Sequence, residues 1–501
     1  MSLSSNLTVG ERSDQSALAP VAWGPVIVAT LTLVALLSLL SNRYGYHRDE
    51  LYFRMLPPSW GYVDQPPFTP LLARATTLLA DHVWALRLPA TLCAGASVII
   101  IVLVTREVGG DRLAQILAAW GYAFATFTLT FGHVLLTASL DLVVWPLVLL
   151  LVVRAVRRGE PRWWLLAGLV VGLSTYNKWL ISLLVVSVIG GILLVGPRKV
   201  LLSRPVLAAA GLAIVLALPN VVWQATHGFP QSEMGRALAG ENATEVRIGA
   251  LPILVVMIGP LLFPICVAGF VHLLRAPECR PIRWLAPALV MVIALTLIGG
   301  TQYYYPYGVL SVIFAVGSVP AARFAQRSRA RLRLVGVVLV LHGLVSVVLN
   351  LPVLPPPVLA ASFVPTINSG VADQIGWPAY VAQVDRAIDR AKAADPALVV
   401  LASNYGEAGA IDRYSRHPDV VVVSGHNALW DSGGPPPQTR TVVVVGGQLN
   451  SDGDRFDRCQ IVDRLASGID IDIEEEGQPI AVCTGPHQDW ATLWPLLRHL
   501  S

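Results

Sequence analysis

The stretch HRDELYFRMLPPSWGYVDQPPFTP, residues 47–70, follows directly on an apolar run and presents Asp49, Glu50 and Asp64 among aromatics and prolines. Charges beside a bilayer read most simply as a solvated loop. Three features oppose that reading. Leu51, Tyr52, Met55 and Leu56 recur at helical spacing, which puts the first two acids on a structured surface helix. A third acid, Asp64, follows in GYVDQPPF. Gln65-Pro66-Pro67 then restricts the backbone behind that carboxylate. Acids on stiffened backbone are placed groups, suited to catalysis or ligand binding, and His47 and Arg48 lie beside them.

Other polar residues sit at or near apolar runs. Asp141, in LLTASLDLVVWPL, lies at a depth where an acid faces the protein interior and marks a site or a pairing partner. Lys178 in STYNKWLIS, His133 in FGHVLLT, and Tyr303, Tyr304 and Tyr305 in TQYYYPYG flank such runs. An interfacial anchor beside Trp179 is the ordinary account of Lys178, and an aromatic belt is that of the tyrosines. Arg43, Arg48, Arg54 and Arg74 either snorkel to lipid headgroups or face an anionic ligand.

The elements that must position these groups are mostly membrane spans. Only 14% of the 501 residues are charged, against about a quarter in soluble proteins. Eleven apolar runs of near-spanning length stand out: roughly 21–41, 83–104, 113–131, 139–153, 163–177, 179–196, 206–223, 247–272, 284–300, 307–322 and 332–350. In lipid these must be helices, because every backbone amide needs an internal partner. The polar start, residues 1–20, reads as a cytoplasmic tail before a retained anchor.

Lys and Arg concentrate in alternate short loops, from REVGGDR (105–112) to RFAQRSRARLR (323–333), which the positive-inside rule assigns to the cytoplasm. The loop 42–82, with an amphipathic helix over 68–80, then lies outside, as does everything from Leu351. Asp49, Asp64, His133, Asp141, Lys178 and the tyrosines all map to that one face. A scatter would occupy both, so the co-location points to an outward-opening cavity.

Residues 351–501 form a second domain. They hold 18 of the 32 acids and 10 of the 36 basic residues, a net charge of −8 against +12 for the rest. The basic excess sits in short clusters between apolar runs, which disfavours a nucleic-acid partner. Segments 397–403, 420–424, 441–447 and 480–485 read as strands and 379–394 and 406–416 as helices, giving a small α/β domain. Asn404, Tyr405, Glu407, His426, Asn427 and Trp430 fall just after strands, where such domains bind ligands; ordinary loop polarity is the competing account. Cys459 and Cys483 in this region are expected to form a disulfide if it is extracytoplasmic.

In order along residues 22–350, HRDELYF, VDQPPF, TASLDLVVW, YNKWL and YYYPYGVL resemble the motifs of polytopic GT-C-fold glycosyltransferases of family 39, the protein-mannosyltransferase-like group to which the aminoarabinose transferase is related. The resemblance implies transfer of a hexose or pentose from a polyprenyl-phosphate donor to a hydroxyl of a lipid, envelope glycan or protein, with inversion. It implies Asp49 as general base, with Glu50 or Asp64 orienting the acceptor or ligating Mg²⁺ or Mn²⁺. Arg48 and Lys178 become counter-charges to the leaving phosphate. His47, His133, Asp141 and Tyr303–Tyr305 would line the substrate cavity, and Tyr405, Glu407, His426 and Trp430 would grip the acceptor. A transporter or flippase of lipid-linked sugars is the alternative; it would place polar groups nearer mid-membrane and show a repeat between halves.

Overall fold

The computed structural model describes residues 18–469 and 471–501, so most of the expected cytoplasmic tail lies outside the described residues. Helices fill the membrane domain: α1 (Trp23–Leu40), α2 (Arg48–Met55), α3 (Phe68–Leu79), α4 (Val83–Glu107), α5 (Arg112–Ala123), α6 (Thr126–His133), α7 (Thr137–Arg158), α8 (Pro161–Ser174), α9 (Ile181–Val195), α10 (Arg204–Thr226), α11 (Pro230–Ile258), α12 (Phe263–Arg275), α13 (Leu285–Gly299), α14 (Tyr307–Gln326) and α15 (Arg329–Asn350). Every apolar run of the sequence falls in helix, though not each in one long straight helix. Among the described residues six helices (α1, α4, α7, α10, α14 and α15) are long and apolar enough to cross a bilayer, or up to eight spans if two bent pairs each count as one. The run 113–131 is the pair α5 and α6, bent by 54°; the run 247–272 is broken between α11 and α12 by 100°. The break follows Gly259, which has a φ of 107° that a β-carbon would disfavour. The polar stretch between the apolar runs 206–223 and 247–272 is mostly the first half of α11.

The loop after α1 is ordered by one buried ion pair. Glu50 and Arg87 are both inaccessible to solvent. The Arg87 guanidinium, on the first turns of α4, donates from Nε and Nη2 to the Glu50 carboxylate, each at 2.9 Å. Its other protons go to the carbonyls of Ser41 (2.7 Å) and Gly45 (2.6 Å) and to Gln374 Oε1 (3.1 Å), and Nη1 stands 3.1 Å from His133 Nε2. Glu50 also accepts from the amides of His47 (2.8 Å) and Leu135 (2.9 Å). The His47 side chain accepts from the Asp49 amide, so α2 begins in a reciprocal capping box. A desolvated pair is tolerable only when its remaining hydrogen-bonding capacity is filled, and this one meets that condition.

The C-terminal region begins with single-turn helices α16 (Pro356–Ala360), α17 (Val364–Ile367) and α18 (Ser369–Ala372). It continues through α19 (Trp377–Lys392), β1 (Val399–Ala402), α20 (Tyr405–Tyr414), β2 (Val421–Ser424), β3 (Thr441–Val445), β4 (Phe456–Arg464) and β5 (Pro479–Pro486). The sheet order is β2-β1-β3-β5-β4. The first three strands are parallel, and β5 and β4 extend the sheet antiparallel. Alternate residues serve two faces: Val400, Ala402, Val443 and Val445 pack with α19, while Val399, Leu401, Val442 and Val444 pack with Trp490, Leu493 and Leu497. Strand β4 escapes the sequence reading because its residues, FDRCQIVDR, are largely polar. It is the sheet edge, where charge discourages pairing with another chain. Cys459 and Cys483 face each other across β4 and β5 and are bonded, S–S 1.97 Å.

This domain sits on α2. Leu51, Tyr52, Phe53 and Leu56 share a core with Trp377, Tyr380, Val384, Ala408 and Leu429. Gly409 of α20 lies so close to α2 that a β-carbon there would stand 2.7 Å from the Leu51 backbone. Arg48 donates to Glu474 (2.6 Å) and also pairs with the fully buried Glu475, and Arg54 donates to Asp412 (3.0 Å).

Removing one member of the Glu50–Arg87 pair strands the other without solvent. Arg87→Met is expected to cost about 3–5 kcal/mol, read as a lowered denaturation midpoint in detergent. Reduction of the Cys459–Cys483 bond is expected to cost about 3 kcal/mol by freeing the intervening loop of the unfolded chain. The readout is the urea midpoint of tryptophan emission with and without reductant.

Candidate active site

A cavity of about 300 Å³ lies between the membrane helices and the C-terminal domain. Its polar wall comes from four separate stretches: Asp49 on α2, Asp64 and Gln65 on the following loop, Lys178 between α8 and α9, and Tyr304 and Tyr305 before α14. Tyr405 of α20 and Asn427 close it from above, and Met234 and Leu238 of α11 with Leu180 supply apolar surface. Thus Asp49, Asp64 and Lys178, 129 positions apart in sequence at the extremes (178 − 49), face one hollow.

The carboxylates are differently held. Asp49 Oδ1 accepts from the Tyr405 hydroxyl at 2.9 Å. Asp64 Oδ1 accepts from the Tyr52 hydroxyl at 3.1 Å and Oδ2 from the Gln65 amide at 3.3 Å. Burial pushes the Asp64 carboxyl up to about 7, with the Asp49 and Asp431 charges adding to the rise. Asp64 therefore exchanges its proton near neutrality, where an acid–base group is most useful. The Lys178 ammonium donates to the Tyr304 hydroxyl at 2.9 Å and lies over the Tyr304 and Tyr305 rings at 5.0 and 5.2 Å. That places a cation on a cavity wall, steadied by ring faces rather than neutralised by a bonded carboxylate.

Asp141 opens on a small adjoining cleft of about 20 Å³ that shares Leu180, Tyr304 and Tyr305 with the main cavity. Its Oδ2 is buried and has no hydrogen-bond partner among the described residues. Several sequence expectations about cavity residues do not hold. Glu50 is spent on Arg87, and Arg48 points into the C-terminal domain to Glu474 and Glu475, so it does not face the hollow. His47 caps α2, His133 is 1% exposed beside Arg87, and Tyr303 is not among the lining residues.

Of the C-terminal candidates only Tyr405 reaches the cavity with Asn427. Asn404, Glu407 and His426 line a second cavity of about 520 Å³ past the carboxyl ends of β1 and β3. There burial, with the nearby His499 and Arg48 charges, takes His426 down to about 3, so its neutral ring accepts from the Tyr405 amide at 3.3 Å. Trp430 exchanges indole hydrogen bonds with Trp494, under the Arg498 guanidinium.

Sequence reasoning passed over Arg87, although a lone arginine in the apolar run VWALRLPATL signals a buried partner. It also missed Gln231 and Met234 in the first turns of α11, which carry no motif, and Thr301 and Gln302, which open TQYYYPYG but were passed over for its tyrosines. For a divalent cation, Glu50 is removed from the expected donors, and Asp49 and Asp64 each have an oxygen committed to a tyrosine. Among the described residues no group of three His, Cys, Asp or Glu comes together to hold a metal. The residues present do not fit a protein-built cation site.

Residues 64–223 match the family model for dolichyl-phosphate-mannose-protein mannosyltransferase. No curated protein matches the chain at a significant level. Among solved structures it is similar to ArnT from Cupriavidus metallidurans bound to undecaprenyl phosphate, at TM-score 0.62 and 15% identity, covering 93% of this chain and 98% of that one. The apo state of that protein aligns at TM-score 0.57 and 14% identity, over 92% and 98% of the two chains. The arabinofuranosyltransferase AftD from mycobacteria aligns at TM-score 0.53 and 14% identity, covering 94% of this chain and 40% of that one. Over most of its length the chain thus has the GT-C fold of these structures, and residues 64–223 within it resemble the protein-mannosyltransferase family.

Proposed function

We propose that the protein moves a sugar from a polyprenyl-phosphate donor to a hydroxyl acceptor at the extracytoplasmic boundary of the membrane. The observation that carries this reading is the single hollow shared by Asp49, Asp64 and Lys178. Similarity to a protein bound to undecaprenyl phosphate supports the donor class. The N-terminus is then cytoplasmic and the C-terminal domain extracytoplasmic, in keeping with the loop charges and the disulfide.

In this mechanism the acceptor hydroxyl loses its proton to the free oxygen of Asp49 as its own oxygen bonds to the anomeric carbon. The bond from that carbon to the phosphate oxygen breaks, and its electron pair leaves with the phosphate. One displacement inverts the configuration. Lys178 opposes the charge that gathers on the leaving group, the kind of fixed counter-charge that contributes most to such steps. Asp64, once ionised, orients the acceptor. Leu180, Met234 and Leu238 offer apolar surface to the first prenyl units. No step is routed through a metal ion, and no observation favours the transporter alternative.

Three outcomes test the reading with protein reconstituted in nanodiscs and a radiolabelled polyprenyl-phosphate hexose or pentose, after mass spectrometry of envelope material with and without the gene has named the sugar. Asp49→Asn should lower kcat by about 10²–10⁴, the span a general base supplies, while donor binding persists. Retained turnover in that variant removes Asp49 from the mechanism. Lys178→Met should lower kcat by about 10²–10³. The rate should rise with pH through an inflection near 7 that Asp64→Asn abolishes. The same group links pH to stability. The folded state keeps the Asp64 proton up to about 7 and the unfolded chain releases it near 3.8, so stability falls as pH rises between those values, and Asp64→Asn should flatten that fall.

A further inference from the structure

We propose that the C-terminal domain is a working part of the catalytic site, with Tyr405 as the positioning residue that fixes the Asp49 carboxylate for proton abstraction. The inference rests on Asp49 being the base. The Tyr405 hydroxyl donates to Asp49 Oδ1 at 2.9 Å, leaving the other oxygen for the acceptor. Its ring lies against Tyr52, centroids 4.7 Å apart. The Tyr52 hydroxyl donates to Asp64 at 3.1 Å and itself accepts from the Ala428 amide at 3.1 Å. Each cavity carboxylate therefore has one oxygen on a hydrogen bond that begins in the C-terminal domain, one direct and one relayed.

The placement is built. Tyr405 opens α20 behind a reciprocal capping box of Asn404 and Glu407. Its amide is held by His426 Nδ1, and α20 is locked to α2 by the close approach at Gly409 and by the Arg54–Asp412 ion pair. Base and positioner thus ride on two helices in direct contact. Burial, with the Asp49 charge next, raises the Tyr405 phenol well above its ordinary value, so it stays a donor at any working pH. A donor to a carboxylate favours the ionised form and narrows its orientation.

Tyr405→Phe keeps the ring against Tyr52 and removes only the hydroxyl. The expected result is a kcat 10- to 100-fold lower with a donor KM within about twofold of wild type, while the inflection near 7 stays in place because it belongs to Asp64. The charged groups around Asp49 stay in place: Asp64 on the loop, Lys178 across the cavity and Asp373 from the C-terminal domain, while Arg48 and Glu50 on its own helix remain turned to Glu474, Glu475 and Arg87. A wild-type kcat in Tyr405→Phe overturns the inference. If that variant does not fold, 3-fluorotyrosine at position 405 strengthens the donor instead. A stronger donor draws charge from the base, so kcat should fall with the donor KM unchanged, and an unchanged kcat overturns the inference. Asp49→Asn run in parallel separates the two readings: its inactivity beside a normal Tyr405→Phe sinks only the positioning role, whereas its activity sinks the base assignment itself.

Discussion

Everything near the cavity depends on the buried pairing of Glu50 with Arg87. The guanidinium reaches the end of α1 at Ser41, the turn at Gly45, the end of α6 at His133 and the C-terminal domain at Gln374, while the carboxylate takes the amides of His47 and Leu135. Four segments distant in sequence are thereby fixed to one ionic centre. Such a pair adds little net stability over an apolar equivalent, since desolvation offsets most of the attraction. What it supplies here is direction: any other placement of α2 would bury a lone charge or leave donors unmatched.

Four consecutive residues at the start of α2 then do four different things. His47 caps the helix, Arg48 reaches the C-terminal domain, Asp49 faces the cavity and Glu50 faces the membrane bundle. Helical geometry makes this possible, because successive side chains leave the axis about 100° apart, at 3.6 residues per turn. The same geometry explains why adjacent acids on one helix have unlike surroundings. Glu50 is sealed and paired; Asp49 is only partly covered and holds a single tyrosine bond.

The C-terminal domain completes the roof of the cavity. Its parallel strands place their carboxyl ends toward the second cavity, and the turn after β1 leads into α20 and Tyr405. The wall opposite joins the first turns of α11 to the irregular turn from α13 to α14, which carries Thr301, Gln302, Tyr304 and Tyr305. Non-helical backbone near lipid is tolerated where protein or a cavity covers it. The turn before α14 is such a departure from regular helix, and it lines the hollow.

Sequence alone determined the class of molecule. Long apolar runs with almost no charge permit only membrane helices, alternating apolar and turn segments after residue 351 permit an α/β domain, and acids on proline-stiffened backbone after the first span mark a site. These are local or periodic properties, legible without knowing what touches what. It also singled out Asp49, Asp64, Lys178, Tyr304, Tyr305 and Tyr405, which the fold brings to one cavity. Tertiary structure alone decided which charges are spent. Arg48 and Glu50 look as available in sequence as Asp49 does, yet both are consumed by partners at Glu474, Glu475 and Arg87, up to 427 positions away. The physical reason is that the cost of burying a charge depends on its distance to an opposite charge in space, and chain order does not encode that distance.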